Sequence, residues 1–139
     1  MKNLRVGKAN LRILLDTHAL LWALLEPSEL SRRAKALLLD RRNELFLSSA
    51  TAWEISAKFR LGKLPEAAEV ATSYLEVTKK FGAEHLAISP LHSLTAGSFR
   101  VDRRDPFDRV IAAQALHENL VVVSKDEALL DFPITVIWD

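Results

Sequence analysis

Asp16, Glu54, Asp108 and Asp126 lie far apart in the chain, yet all four occupy the same kind of position. Each stands where an apolar run hands over to a helix, or on the first turns of that helix. Asp16 closes Ile13-Leu14-Leu15, and Asp126 closes Val121-Val122-Val123-Ser124-Lys125. Glu54 follows Leu45-Phe46-Leu47-Ser48-Ser49 by about one helical turn. Asp108 sits in Asp105-Pro106-Phe107-Asp108-Arg109. If the apolar runs are parallel strands, their carboxyl ends share one edge of a sheet and the four acids converge there. Gathered carboxylates repel unless a cation or a proton intervenes. All-oxygen ligands suit Mg²⁺ or Mn²⁺, which points to metal-dependent chemistry on a phosphate substrate.

Each acid also has a structural explanation. Asp16 and Asp126 read equally as N-caps of the helices they precede. Glu54 stands four residues before Lys58, the spacing of an ordinary helix-surface ion pair. Asp105 precedes Pro106, a cap-then-proline signal, so Asp105 is expected as the cap and Asp108 as the metal-site residue. Other chemistries find less support. His18, His85, His92 and His117 form no i,i+4 pair, so a zinc site is not expected. His18 neighbours Asp16; packing or solvent exposure is expected of it, with a substrate contact as the alternative. The glycines match no phosphate-cradling loop, and Ser49, Ser89 and Ser98 lack the context of an activated nucleophile.

Stepping along the chain gives the elements that must position these acids. Short strands are expected at Ile13–Leu15, Leu45–Ser48, His85–Ile88, Leu120–Ser124 and Ile134–Ile137. Between them the pattern predicts helices over Thr17–Leu25, Arg32–Arg41 and Ser49–Leu61. A further helix is expected from Pro65 to a stop at Gly82. Others run from Pro90 to Phe99, from Pro106 to Glu118, and briefly from Asp126. Thr17–Leu25 is apolar at nearly every position, so it is expected to be buried on most sides. Strand–helix alternation from end to end predicts a three-layer α/β domain with a parallel sheet.

The 139 residues suit one domain with a single core. No apolar run reaches membrane-spanning length, and no signal peptide is evident. With no cysteine, disulfides and zinc–thiolate sites are excluded, and a cytoplasmic location is expected. The net charge of +1 says little about partners, but its distribution says more. Lys2, Arg5, Lys8 and Arg12 make a basic arm, so residues 1–11 read as a flexible extension before a domain over 12–139. Lys58, Arg60 and Lys63, and then Arg100, Arg103, Arg104 and Arg109, flank the acidic positions. A basic rim around an acidic pocket holds a polyanion while metal covers the carboxylates.

Four blocks carry a family likeness. They are Leu14-Leu15-Asp16-Thr17-His18-Ala19-Leu20-Leu21-Trp22, Ser48-Ser49-Ala50-Thr51-Ala52-Trp53-Glu54-Ile55, Arg104-Asp105-Pro106-Phe107-Asp108-Arg109 and Val123-Ser124-Lys125-Asp126. In this order and spacing they resemble the PIN-domain proteins of the VapC toxin type, from about Arg12 to the end of the chain. The resemblance implies a PIN-like sheet of about five strands in the order 3-2-1-4-5. It also implies a Mg²⁺- or Mn²⁺-dependent endoribonuclease with Asp16, Glu54, Asp108 and Asp126 as the catalytic, metal-holding quartet. Thr17, Asp105 and Ser124 would be auxiliary, Ser124 standing where the family commonly has threonine. Lys58, Arg60, Arg103, Arg104 and Arg109 would bind the RNA backbone. The implied partners are a VapB-type antitoxin lying over the groove and a second copy of the chain. Three other readings remain open at this point: a PIN nuclease of RNA processing or DNA repair, a phosphoacceptor signalling domain, and a catalytically silent binding module. The signalling reading expects paired acids after the first strand, whereas Asp16 is followed by Thr17.

Overall fold

The structure, a computed structural model, describes residues 10–139. Of the basic extension expected over residues 1–11, residues 1–9 lie outside the described residues. Five strands form one all-parallel sheet: β1 (Arg12–Leu15), β2 (Glu44–Ser48), β3 (Ala83–Leu86), β4 (Val121–Val123) and β5 (Val136–Ile137). Their spatial order is β3-β2-β1-β4-β5, the order implied by the family likeness. β1 is central, with Leu14 paired to Phe46 on one side and Val122 on the other. Ile13, Leu14 and Leu15 are all 0% exposed, as expected for a strand covered on both faces.

The helices are α1 (Thr17–Leu25), α2 (Arg32–Leu39), α3 (Ser49–Arg60), α4 (Ala68–Thr72), α5 (Tyr74–Phe81), α6 (Pro90–Ser98) and α7 (Pro106–Glu118). Alternation along β1 divides the core. Ile13 and Leu15 pack with Leu20, Ala34, Ile55 and Val70 of α1 to α4. Leu14 faces the opposite layer, with Ile111, Ala112 and Ala115 of α7. Burying each large aliphatic side chain of this kind stabilises the fold by about 1.5–3 kcal/mol. Among the described residues no helix is long and apolar enough to cross a membrane.

The structure corrects several expected boundaries. β3 begins at Ala83, two residues before the expected His85, and ends before Ile88. Gly82 adopts the left-handed conformation (φ 89°) and turns α5 directly into the sheet, so no linker precedes the strand. The helix expected from Pro65 onward is three pieces. A 3₁₀ turn at Pro65–Ala67 leads into α4, and Ser73 leaves helical geometry (φ −124°, ψ 34°) before α5. The last strand is only Val136–Ile137. α1 is less enclosed than its composition predicts. Thr17, Ala19, Leu20 and Leu21 are buried, while Trp22 to Leu24 are half-buried and Leu25 is exposed.

Candidate active site

The carboxyl ends of β1, β2 and β4 open onto one edge, and the acids are delivered there by three different local devices. Asp16 comes straight off β1. Its amide donates to Val123 O at 3.1 Å, which ties the ends of β1 and β4 together. Asp16 stands at the N-cap position of α1, yet its side chain makes no capping hydrogen bond. Its Oδ2 instead accepts from the Ser124 hydroxyl at 2.5 Å. The carboxylate is buried at 7% exposure. Burial raises its pKa, Ser124 and His18 draw it back, and the nearby Glu54 charge raises it again.

Glu54 is carried by α3, which starts at the end of β2 with Ser48 capping Ala50 N. It is buried at 6% exposure. The Thr17 hydroxyl donates to its Oε1 at 2.6 Å, and Lys58 donates to its Oε2 at 2.5 Å. The Lys58 pair expected from spacing is therefore present, and a buried hydroxyl from another helix is added to it. Burial lowers the Lys58 pKa, but the Glu54 hydrogen bond and charge outweigh that and raise it overall.

Asp108 is carried by α7, which opens on Asp105 and Pro106. Asp105 Oδ1 accepts from Phe107 N at 2.9 Å and Asp108 N at 3.4 Å, so Asp105 caps the helix. Asp108 is buried, and burial pushes its pKa up to about 6 despite the hydrogen bond from Arg103. The Asp105 and Asp16 charges add to that rise. Asp126 divides its two oxygens. Oδ1 caps a 3₁₀ turn (Glu127–Asp131) through Ala128 N at 3.0 Å, and Oδ2 accepts from Arg103 at 3.0 Å.

The donor set fits a hard divalent cation, because it is carboxylate throughout and no soft ligand is near. Among the described residues, however, no three acidic or imidazole side chains are drawn in around one point as metal ligands. Two of the four carboxylates are gripped by Arg103 and a third by Lys58, while among the described residues Asp16 makes no ion pair.

A model of the PIN domain matches residues 13–134. The chain belongs to the PIN-domain family. Ribonuclease VapC16 of Mycobacterium tuberculosis is 36% identical over 59 residues, a match covering 42% of this chain and 42% of that protein. Three solved structures share the PIN fold. VapBC2 from Rickettsia felis, bound to a DNA fragment from its promoter, has a TM-score of 0.69 at 19% identity, covering 93% of this chain and 100% of that one. FitAcB from Neisseria gonorrhoeae has a TM-score of 0.63 at 21% identity, covering 90% and 96%. VapBC-1 from nontypeable Haemophilus influenzae has a TM-score of 0.62 at 18% identity, covering 91% and 97%.

The five basic residues expected to line RNA on this PIN domain are used differently. Arg60 and Arg104 are exposed. Lys58 and Arg103 are turned onto the acids. Arg109 points its guanidinium at the carbonyls of Ala96, Val101, Phe99 and Arg103, at 2.8, 3.1, 2.6 and 2.8 Å. Four of its five donors are thereby engaged, and it clamps the loop before α7. We therefore assign Arg109 to holding that loop, in place of the RNA contact its charge suggested. Of the residues beside Asp16 the sequence pointed to His18 but not to Trp22 or Lys125. His18, Trp22 and Lys125 line a cavity of about 320 Å³ that opens beside Asp16 and Asp126. Lys125 lies 5.8 Å from the Trp22 ring centroid, and His18 5.7 Å from it. The helical i,i+4 spacing of His18 and Trp22, directly after a candidate acid, was the available signal.

Proposed function

We propose that this PIN domain is the toxin of a toxin–antitoxin pair and acts as a Mg²⁺- or Mn²⁺-dependent endoribonuclease. The observation that carries the reading is Asp16. It is a buried carboxylate at the end of the central strand, released from capping, set by the Ser124 hydroxyl and flanked by the charges of Glu54 and Asp108. Burying a charged carboxylate costs stability, and a cation offsets that cost.

Asp16, Asp108, Glu54 and Asp126 are the residues that would hold the metal. When bound, the cation supplies Lewis-acid stabilisation of charge on the phosphate and lowers the pKa of water. The chain's own side chains supply positioning. Ser124 fixes the rotamer of Asp16, while Thr17 and Lys58 fix Glu54. Asp105 anchors the first turn of α7 beneath Asp108. No hydroxyl or thiol stands free as a nucleophile in this arrangement, which favours direct attack by water. Arg60 and Arg104 remain available to the RNA backbone. The Trp22–His18–Lys125 cavity offers a ring face and a cation to the nucleotide beside the scissile phosphate.

Two protein partners belong to the same reading. An antitoxin would cover the acidic edge. A second copy would cover the outer side of α1, where Leu25 is exposed and Ala23 and Leu24 are half-buried.

The test is RNA cleavage by the purified chain with Mn²⁺, with EDTA, and with an Asp16→Asn variant. We expect cleavage only with metal, and activity at least about 100-fold lower in the variant. Cleavage in EDTA, or full activity of the variant, sinks the nuclease assignment. The toxin role stands or falls on whether a small protein encoded beside the gene binds the chain and suppresses cleavage.

A further inference from the structure

The loop between α6 and α7 puts a positive charge inside the acidic edge. Arg103 Nη2 lies 2.5 Å from Asp108 Oδ2 and 3.0 Å from Asp126 Oδ2. Its Nε lies 2.9 Å from the same Asp108 oxygen. One guanidinium thus joins acids that belong to α7 and to the end of β4, two different elements. This differs from Lys58 and Glu54, which share a helix at i,i+4 spacing. We propose that Arg103 is the resident cation of the site: it occupies ligand oxygens of Asp108 and Asp126, competes with the divalent metal, and so sets the metal affinity. The proposal rests on the metal-nuclease reading above.

Three features support competition over mere fastening. First, Mg²⁺ and Mn²⁺ require direct contact with carboxylate oxygens at about 2.1 Å. A guanidinium on the same oxygens blocks that approach and repels the incoming charge. Second, the backbone of the loop is held independently. Arg109 grips the Val101 and Arg103 carbonyls at 3.1 and 2.8 Å, so the Arg103 side chain can withdraw without unfolding the loop. Third, the Arg103 side chain is 32% exposed, which gives it a route to solvent. Withdrawn, it stands at the rim, where the phosphate of a bound RNA offers it a new acceptor. Asp108 and Asp126, released from it, would be free to hold the metal together with Asp16.

A purely structural salt bridge makes a different prediction. Its loss destabilises the protein with and without metal and leaves metal affinity unchanged or weaker. The experiment is calorimetric titration of Mn²⁺ into the full chain, as wild type, R103Q, R103K and D16N, with melting curves in parallel. We expect R103Q to bind Mn²⁺ at least about tenfold more tightly than wild type. R103K keeps the charge but loses the two-armed grip, and is expected to fall between them. Mn²⁺ should raise the melting temperature of R103Q by more than that of wild type. If R103Q does not fold without metal, R103K carries the comparison. Equal or weaker Mn²⁺ binding in R103Q and R103K, with wild-type binding lost in D16N, overturns the competition and leaves the metal site standing. No saturable binding in any protein, or binding that survives D16N, overturns the metal site and the competition with it.

Discussion

The acidic edge has two halves that are held in different ways. On one side, Asp16 and Glu54 are fixed by hydroxyls that belong to regular structure: Ser124 after β4, and Thr17 in the first turn of α1. On the other side, Asp108 and Asp126 are joined by an arginine from an irregular loop, and a second arginine holds that loop in place. In the first half the hydroxyls sit on regular, buried elements, and the one charged donor, Lys58, reaches Glu54 from the same helix. The arginine-held half is charge-balanced and exchangeable. A short side chain on a buried element has little freedom to leave, whereas a long side chain on a loop can be displaced. On the metal-nuclease proposal, a cation enters at the exchangeable Asp108–Asp126 side.

The largest expected effect is at the clamp. Arg109→Ala leaves three loop carbonyls and the Ala96 carbonyl at the end of α6 without their donor and should destabilise the chain by about 2–4 kcal/mol in denaturant titration. A loss under about 1 kcal/mol means the loop has other anchors, and the picture of a fixed backbone beneath a mobile Arg103 fails.

Next comes pH. The Asp108 carboxyl is raised in the folded state to about 6 from an ordinary 3.8, so the folded protein holds that proton more tightly than the unfolded chain. Stability from this group is fully present below about 4 and is lost as pH rises through about 6. In the absence of metal, lowering the pH from 7 toward 4 should therefore let this group stabilise the protein by up to about 2–3 kcal/mol, about half of it gained by pH 5, and Asp108→Asn should flatten that trend. Metal binding runs the opposite way and weakens below about pH 6, because protons compete for the same oxygens. A flat stability profile between pH 5 and 7 in wild type argues that Arg103 fully neutralises Asp108.

On the hydroxyl-held side, Thr17→Val keeps the shape and removes one donor to the buried Glu54. It should cost about 1.5–2 kcal/mol, read by thermal melting. The smallest effect is expected at Lys58. Its pair with Glu54 is partly exposed, so Lys58→Gln should cost only about 0.5 kcal/mol. If Lys58→Gln costs more than Thr17→Val, Glu54 is held by charge after all, and the two halves are alike.

Much of this edge was legible in the sequence. Asp16 and Asp126 are placed by the strands they follow, and strand ends are readable from apolar runs bounded by polar residues. Asp105 declares itself as a cap through Pro106. The strand order came from the family likeness, since local pattern carries no information about which strands are neighbours. β3 was misplaced because Ile88 has strand propensity while Gly82, the residue that sets the strand's start, reads only as a helix stop. Arg103 and Arg109 were grouped as one basic rim because they are alike in sequence. Only their surroundings separate them: acids around one, carbonyls around the other.

The sequence by itself determined the alternation of strands and helices, the caps, and the candidate acids, because these depend on periodicity and on residues within one turn of each other. The tertiary structure decided which carboxylates are free. Asp16 turned out uncapped and buried, Glu54 was tied to a hydroxyl 37 residues away, and Asp126 was joined to Asp108 through Arg103. Those outcomes depend on distances between elements brought together by the sheet, and burial and Coulomb interaction act through space and not along the chain.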